Sequence, residues 1–377
     1  KGSMTHPNLY DYNPYQSRPK IEWPGGKTLA FWVAPNIEFY EFDPPKNPKR
    51  PGWPRPAPDV TGYSQRDYGN RVGHWRLMEL MDRYSIKGSV SLNVAMCDHC
   101  PEIIEACNQR GWEFFSHGIY NTRFSYEMDE AQERAVLKDS IETVEKATGQ
   151  RIRGYLAPAL THTERTLDLI AEHDFWYTCD LFQDDQPQPV KTKTGRLCSM
   201  PYSLEVNDVI TYGALAMDPW RYADVLRRQF DQLLKESEDS GAVMCIPLHA
   251  YLVSQPHRLR AFESQPHPQD NIRRGVLILR AGEKEQRIGR MVDDIPRVRT
   301  RHRSEDVPLY RHRIEPACLL EQCRIGRAVL GFAGFGKQRG EELLQEVLHA
   351  VLVDVPKQGG PPQTLVVGVT VAVAVGQ

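Results

Sequence analysis

The chain has 377 residues, 40% hydrophobic and 25% charged, ordinary proportions for a globular enzyme with one large core or two smaller ones. Its formal net charge of -2 leaves no basic footprint for nucleic acid and no attraction to an anionic membrane. No apolar run is long enough to span a bilayer.

Lys1-Gly2-Ser3-Met4 reads as a tag scar ahead of an initiator Met4, so residues 1–26 are assigned to the scar and an N-terminal arm. No basic-then-apolar signal peptide follows, and a cytoplasmic location is expected. Thr28 to Ala34 is a buried-strand run that Pro35 is expected to close. Arg71 to Tyr84 places Leu77, Leu80, Met81 and Tyr84 on one helical stripe. Val90, Leu92 and Val94 alternate with small polar residues as in a strand. Cys97-Asp98-His99-Cys100 has a CxxC spacing, but no second pair completes a zinc site, and Pro101 suits the first turn of a helix. The eight cysteines are expected to be reduced and unpaired. Trp112 to Phe115 is a short apolar strand; Asp129 to Thr148 is a helix ended by Gly149. Strands at Phe175–Tyr177 and Val243–Ile246, with a helix from Tyr222 to Leu234 between them, continue the alternation. Strands separated by helices imply a mainly parallel sheet, best fitted by a closed or nearly closed (β/α) barrel, with an open doubly wound sheet as the alternative. No GxGxxG or Walker loop supports a nucleotide fold.

In such a barrel the reactive groups sit where strands run out into loops. Asn36 and Glu38 follow the first strand and His117 follows Phe115. Pro158 to Glu164 follows the strand Ile152–Leu156; Asp180, Asp184 and Asp185 follow Tyr177, and His249 follows Ile246. Recurrence of polar residues at these exits predicts one convergent site.

From about Thr28 to Phe262 the chain carries, in order, Tyr68-Gly69-Asn70-Arg71-Val72-Gly73, His117-Gly118-Ile119-Tyr120-Asn121, Leu156-Ala157-Pro158, Asp184-Asp185-Gln186-Pro187, Pro201-Tyr202 with Glu205-Asn207-Asp208, and Leu248-His249-Ala250-Tyr251. The resemblance these carry is to the polysaccharide deacetylase (NodB-homology, carbohydrate esterase 4) family, and within it to the branch of cofactor-independent allantoinase and cyclic imide hydrolase. It implies a distorted (β/α) barrel of the NodB type over residues 27–264, with a Pro-rich N-terminal loop and an atypical extension over residues 265–377. The chain also departs from the family. Where the family's first motif has two Asp, Asn36 and Glu38 stand; Asn121 replaces the second His, Leu156 the Arg of the third motif, and Ala250 a Pro. The metal set that survives is Glu38 and His117 with Asn121 as a third donor, and an amide oxygen adds little affinity for zinc. No cofactor, or a weakly bound divalent metal such as zinc, is therefore expected.

The implied chemistry is hydrolysis of a non-peptide carbon–nitrogen bond in a small linear or cyclic amide, imide or ureide. Without a metal, Glu38 is the expected general base, His117 orients water or steadies the oxyanion, and His249 protonates the leaving nitrogen. With a metal, Glu38 and His117 hold the ion and Asp184 or Asp180 does base work. Asn36, Asn121, Arg153, Pro158, Glu164 and Asp180 are expected to line the substrate. The alternatives are a metal-dependent glycan deacetylase acting on an acetylated sugar, and a non-catalytic sugar-binding relative. Asp43 to Thr61 holds seven prolines with Trp53, cannot be a helix, and is a candidate lid or an arm gripping a second copy in a homo-oligomer. The tail beyond Gln265 is Arg-rich at 297–303 and ends in a Val-rich run of low complexity, read as an accessory segment or as the product of a shifted frame.

Overall fold

A computed structural model describes residues 8–45, 58–126, 128–263 and, for backbone alone, 276–278. The tag scar, most of the Pro-rich segment with its proposed lid or arm role, and the Arg-rich and Val-rich stretches of the tail lie outside the described residues.

Among the described residues nine strands form one sheet: β1 Leu29–Ile37, β2 Ser89–Leu92, β3 Glu113–Ser116, β4 Gly154–Tyr155, β5 Tyr177–Thr178, β6 Gln188–Val190, β7 Leu197–Ser199, β8 Val243–His249 and β9 Val276–Ile278. Their order is β6-β7-β5-β4-β3-β2-β1-β8, parallel throughout except between β6 and β7, with β9 beside the amino half of β1. The curled sheet is the expected distorted barrel. Its two ends approach one another where Val243 N–H donates to Asp185 O at 2.8 Å. The helices are α1 Val60–Tyr68, α2 His74–Arg83, α3 Met96–His99, α4 Pro101–Gln109, α5 Glu130–Thr148, α6 Thr166–Glu172, α7 Pro219–Ser240, α8 Ala250–Val253 and α9 Pro256–Glu263. Helix α5 starts on a capping box between Asp129 and Gln132 and stops at Gly149 with φ 74°, as its sequence predicts.

Three expectations are corrected. Pro35 does not close β1: the strand continues to Ile37, in register with β8 through Asn36 opposite His249. Proline lacks a donor but can remain where the neighbour leaves room, and Gly88 leaves it, since a Cβ there would lie 3.0 Å from the Pro35 ring and 2.9 Å from Trp112. The Pro-rich segment ends sooner than expected, because Asp59 caps a helix whose first residues are Val60 and Thr61. The predicted helix from Arg71 is the second half of a longer run in which a π-helical turn, Gly69–Gly73, joins α1 to α2. That turn lies against the chain just past His249: a Cβ on Gly73 would sit 2.5 Å from Ala250 O and one on Gly69 3.0 Å from Tyr251 N. Such bulges recur at functional sites, and this one lets a helix approach the end of β8 as closely as backbone allows.

The N-terminal arm is packed on the barrel. Trp23 is buried, Ile21 N–H donates to Ser240 O, and Leu9 O accepts from Lys191 N. Inside, Trp32, Phe115, Tyr177 and Tyr202 fill the strand interior, while Leu77, Met81, Ile104, Leu137 and Ile141 seal helices against the outer face. Among the described residues no helix is long and apolar enough to cross a membrane.

Candidate active site

The spacing of Asn36 and Glu38 puts both on one face of β1 at its carboxyl end, and both are buried. Glu38 is the centre of the site. Its Oε1 lies 3.3 Å from His117 Nε2 and 3.5 Å from His249 Nε2. Its Oε2 accepts from the Tyr40 hydroxyl at 3.1 Å. These Oε1 contacts are longer than the roughly 2.7–2.9 Å of a tight charge-assisted hydrogen bond.

Each imidazole is oriented from behind. His117 Nδ1 faces Leu156 O at 2.9 Å; a carbonyl only accepts, so Nδ1 carries a proton and Nε2 is aimed at Glu38. Gly118 makes that bend possible, with φ 67° and a Cβ position only 2.6 Å from the Pro158 ring. His249 is held harder. Asp208, fully buried, accepts from His249 N–H at 2.7 Å and pairs with His249 Nδ1 at 2.7 Å.

The charges follow from this packing. Burial opposes protonation of His249, but Glu38 and Asp208 together outweigh it and hold the imidazole up to about 10. Burial likewise opposes ionisation of Glu38, and the His249 and His117 imidazoles overcome it and keep the carboxyl well below the usual range. Unit charges 3.5 Å apart attract by about 5 kcal/mol at an effective dielectric near 20, comparable to the cost of desolvating an ion, so the ion pair survives burial. Burial keeps Asp208 above the ordinary Asp value despite its bonds to His249. His74, buried beneath the pair, is pushed down to about 4 by burial and stays neutral.

Asn93, just past β2 and fully buried, ties the two strand exits together. Its Oδ1 accepts from Phe39 N–H at 3.1 Å, its amide donates to His117 O, and its own N–H donates to Ile37 O. Asn93→Ala is expected to lower kcat by about 10- to 100-fold and stability by about 1–3 kcal/mol, since it strands buried partners on both sides. Kinetics and denaturant unfolding check this; unchanged kcat would remove Asn93 from the positioning frame.

Of the residues expected at the site, Glu38, His117, His249 and Asn36 converge. Asn36 hydrogen-bonds the Tyr202 hydroxyl at 3.0 Å below the ion pair. Asn121 donates its amide to the Tyr40 hydroxyl and so reaches Glu38 only through that phenol. Pro158 packs on Gly118. Asp180 acts as a clamp: it accepts from Ala157 N–H at 2.8 Å and pairs with His162 at 2.7 Å. The others are placed elsewhere. Asp184 pairs with Arg18 of the arm, and its neighbour Asp185 meets the end of β8 opposite to His249. Arg153 precedes β4 rather than following it, pairs with Asp174 and lies over the Trp176 ring. Glu164 is exposed. Sequence reasoning did not single out Tyr40, Asn93 or Arg66, nor Asp208 as the partner of His249.

The zinc expectation is tested by the donor set. Structural and catalytic zinc sites take three or more protein donors at close range. Here the third candidate, Asn121, is turned to Tyr40, and Tyr40 occupies the second oxygen of Glu38. His249 carries a proton where a ligand would need a lone pair. No group of three or more His, Cys, Asp or Glu among the described residues is arranged to hold a metal ion. These residues do not fit a tightly held zinc.

A family model described as Polysaccharide deacetylase matches residues 61–178, the stretch from α1 to the end of β5. Over that stretch the chain is similar to the polysaccharide deacetylase family. Its class is that of hydrolases of carbon–nitrogen bonds. A Schizosaccharomyces pombe protein, provisionally named a polysaccharide deacetylase, is 27% identical over 232 residues, 55% of this chain and 70% of its own length. The crystal structure of Puue Allantoinase superposes with a TM-score of 0.61 at 25% identity, over 74% of this chain and 97% of that one. A structure from Pseudomonas aeruginosa PAO1, also provisionally named a polysaccharide deacetylase, gives 0.59 at 26% identity, over 72% and 93%.

Proposed function

We propose that the deacetylase domain hydrolyses the amide bond of a small linear or cyclic amide, imide or ureide, with Glu38 as general base and His249 as general acid. The observation that carries this is the shared Oε1 of Glu38, which faces the Nε2 atoms of two histidines at 3.3 and 3.5 Å. Water enters beside Glu38 Oε1 and is oriented by His117 as it attacks the carbonyl. Glu38 takes a proton from that water, and His249 Nε2 gives its proton to the departing nitrogen. The two transfers assist one another. As His249 loses its proton, Glu38 loses the cation that holds its proton affinity down. Glu38 then returns its proton to His249 across the 3.5 Å contact, and both groups are restored.

The small-substrate reading is supported by the depth of the reacting groups, since Glu38 and His249 are each only 7% exposed. A polymer needs an open groove, whereas a small molecule can be enclosed. Likeness to an allantoinase structure agrees with a ureide or imide. The barrel over residues 27–264 is the catalytic unit in this reading, with Asn36 and Asn121 at the substrate.

Steady-state rates on succinimide, hydantoin, allantoin and N-acetylglucosamine oligomers test the assignment. Turnover of the imide or ureide compounds, with little on the sugars, is the expected result. Turnover confined to the acetylated sugars would replace this reading by the family's glycan deacetylation.

A further inference from the structure

The proposed mechanism makes no use of Arg66, a cation on α1 beside the ion pair. Its guanidinium carbon lies 4.4 Å over the Tyr40 ring and 5.3 Å from the centroid of Tyr251. Nη1 donates to Gly62 O at 3.2 Å, one turn back along the helix. Nε is buried and has no hydrogen-bond partner among the described residues. Nor does any carboxylate among them form an ion pair with it. Two aromatic faces stabilise a guanidinium by about 0.5–2 kcal/mol; its fork is met only in part, by Gly62 O and the Tyr40 side chain, and Nε is left unsatisfied, a buried donor that costs about 1–3 kcal/mol. The residue is half-buried, so a ligand can still reach its fork.

Position narrows the ligand. The ring under Arg66 belongs to the same Tyr40 whose hydroxyl is 3.1 Å from Glu38 Oε2. An oxygen gripped by Arg66 is therefore one phenol ring away from the carboxylate that activates water. We propose that Arg66 binds a second acyl oxygen of the substrate, the non-scissile carbonyl of an imide or ureide or a carboxylate in its place. This rests on the amide-hydrolase reading above and deepens it. An N-acetyl group offers one carbonyl and nothing for Arg66; a cyclic imide or hydantoin offers two, on either side of a nitrogen. Arginine suits this because its planar fork meets acyl oxygens in a fixed geometry that lysine cannot copy.

The test uses the full chain with Arg66→Gln and Arg66→Lys, each first checked for folding by thermal melting. Succinamate, the open-chain product of succinimide, is titrated by calorimetry, and KM and kcat are measured on succinimide and hydantoin. Arg66→Gln is expected to weaken succinamate binding and raise KM by about 10-fold or more, with kcat changed by less than about threefold. Arg66→Lys is expected to fall between, because charge is kept and the fork is lost. Better turnover of hydantoin than succinimide would identify the ureide as the source of the oxygen, and the reverse the imide; either supports the assignment if KM follows Arg66. Wild-type turnover of an imide with unchanged succinamate affinity in Arg66→Gln would overturn the role of Arg66 alone. Absence of imide and ureide turnover in the wild type, with sugar deacetylation present, would overturn the reading beneath it.

Discussion

Glu38→Gln is expected to lower kcat by about 10²- to 10⁴-fold, the range contributed by one positioned general base. The amide is isosteric with the carboxylate and keeps the Tyr40 contact, so the fold is expected to remain. What it cannot do is accept the proton of the attacking water. It also leaves His249 facing a neutral group, so the imidazole loses one of the two carboxylates that hold it protonated. Steady-state kinetics with a melting curve measure both. A folded Glu38→Gln enzyme that keeps more than about a tenth of kcat would exclude Glu38 as the base.

Asp208→Asn is expected to move the alkaline limb of kcat/KM to lower pH. His249 must be protonated to serve the leaving nitrogen, so activity falls as pH rises through its value, held up to about 10 in the native protein. Removing one opposite charge in contact changes such a value by about one to three units. The limb therefore descends toward the ordinary imidazole range near 6.5. Stability moves in the same sense. A histidine whose folded value is raised contributes stability that is fully present below about 6.5 and is lost as pH rises through about 10. In Asp208→Asn that contribution is smaller and is lost earlier. A pH profile of kcat/KM that superposes on wild type would contradict the pairing at 2.7 Å as the source of the acid.

Much of the barrel was legible because its strands and helices advertise their own period. The helix from Asp129 to Thr148 carries its start, stripe and stop within itself, and it forms with those bounds to within a residue. Strands β6 and β7 are three residues each, too short for a period to register, and were missed. Pro35 misled because the room it needs comes from Gly88, the residue just before the neighbouring strand β2. The candidate site divides in the same way. Glu38, His117 and His249 each stand at a strand exit and could be found from local sequence together with family likeness. Asp184 shares that setting, yet Arg18 from the far end of the chain takes it. Asn93 and Arg66 show the converse: one is a polar residue after an ordinary strand and the other a charge on a helix. Nothing local marks either, and only the closing of the barrel brings Asn93 to Phe39 and His117 and Arg66 to Tyr40.

Asn121 is the position at which sequence and geometry inform one another most. Its place in the His-Gly-x-x-Asn run predicts a weakened metal site, and the structure gives the amide another task, holding the Tyr40 hydroxyl that caps Glu38. The phenol takes one oxygen of the carboxylate, the imidazoles share the other, and proton transfer between Glu38 and His249 remains. The direct test is imide and ureide turnover by enzyme dialysed against a strong chelator, with metal content measured on the same sample. The account predicts full activity at well below one metal per chain. Activity lost on dialysis and restored in proportion to one bound zinc would contradict it.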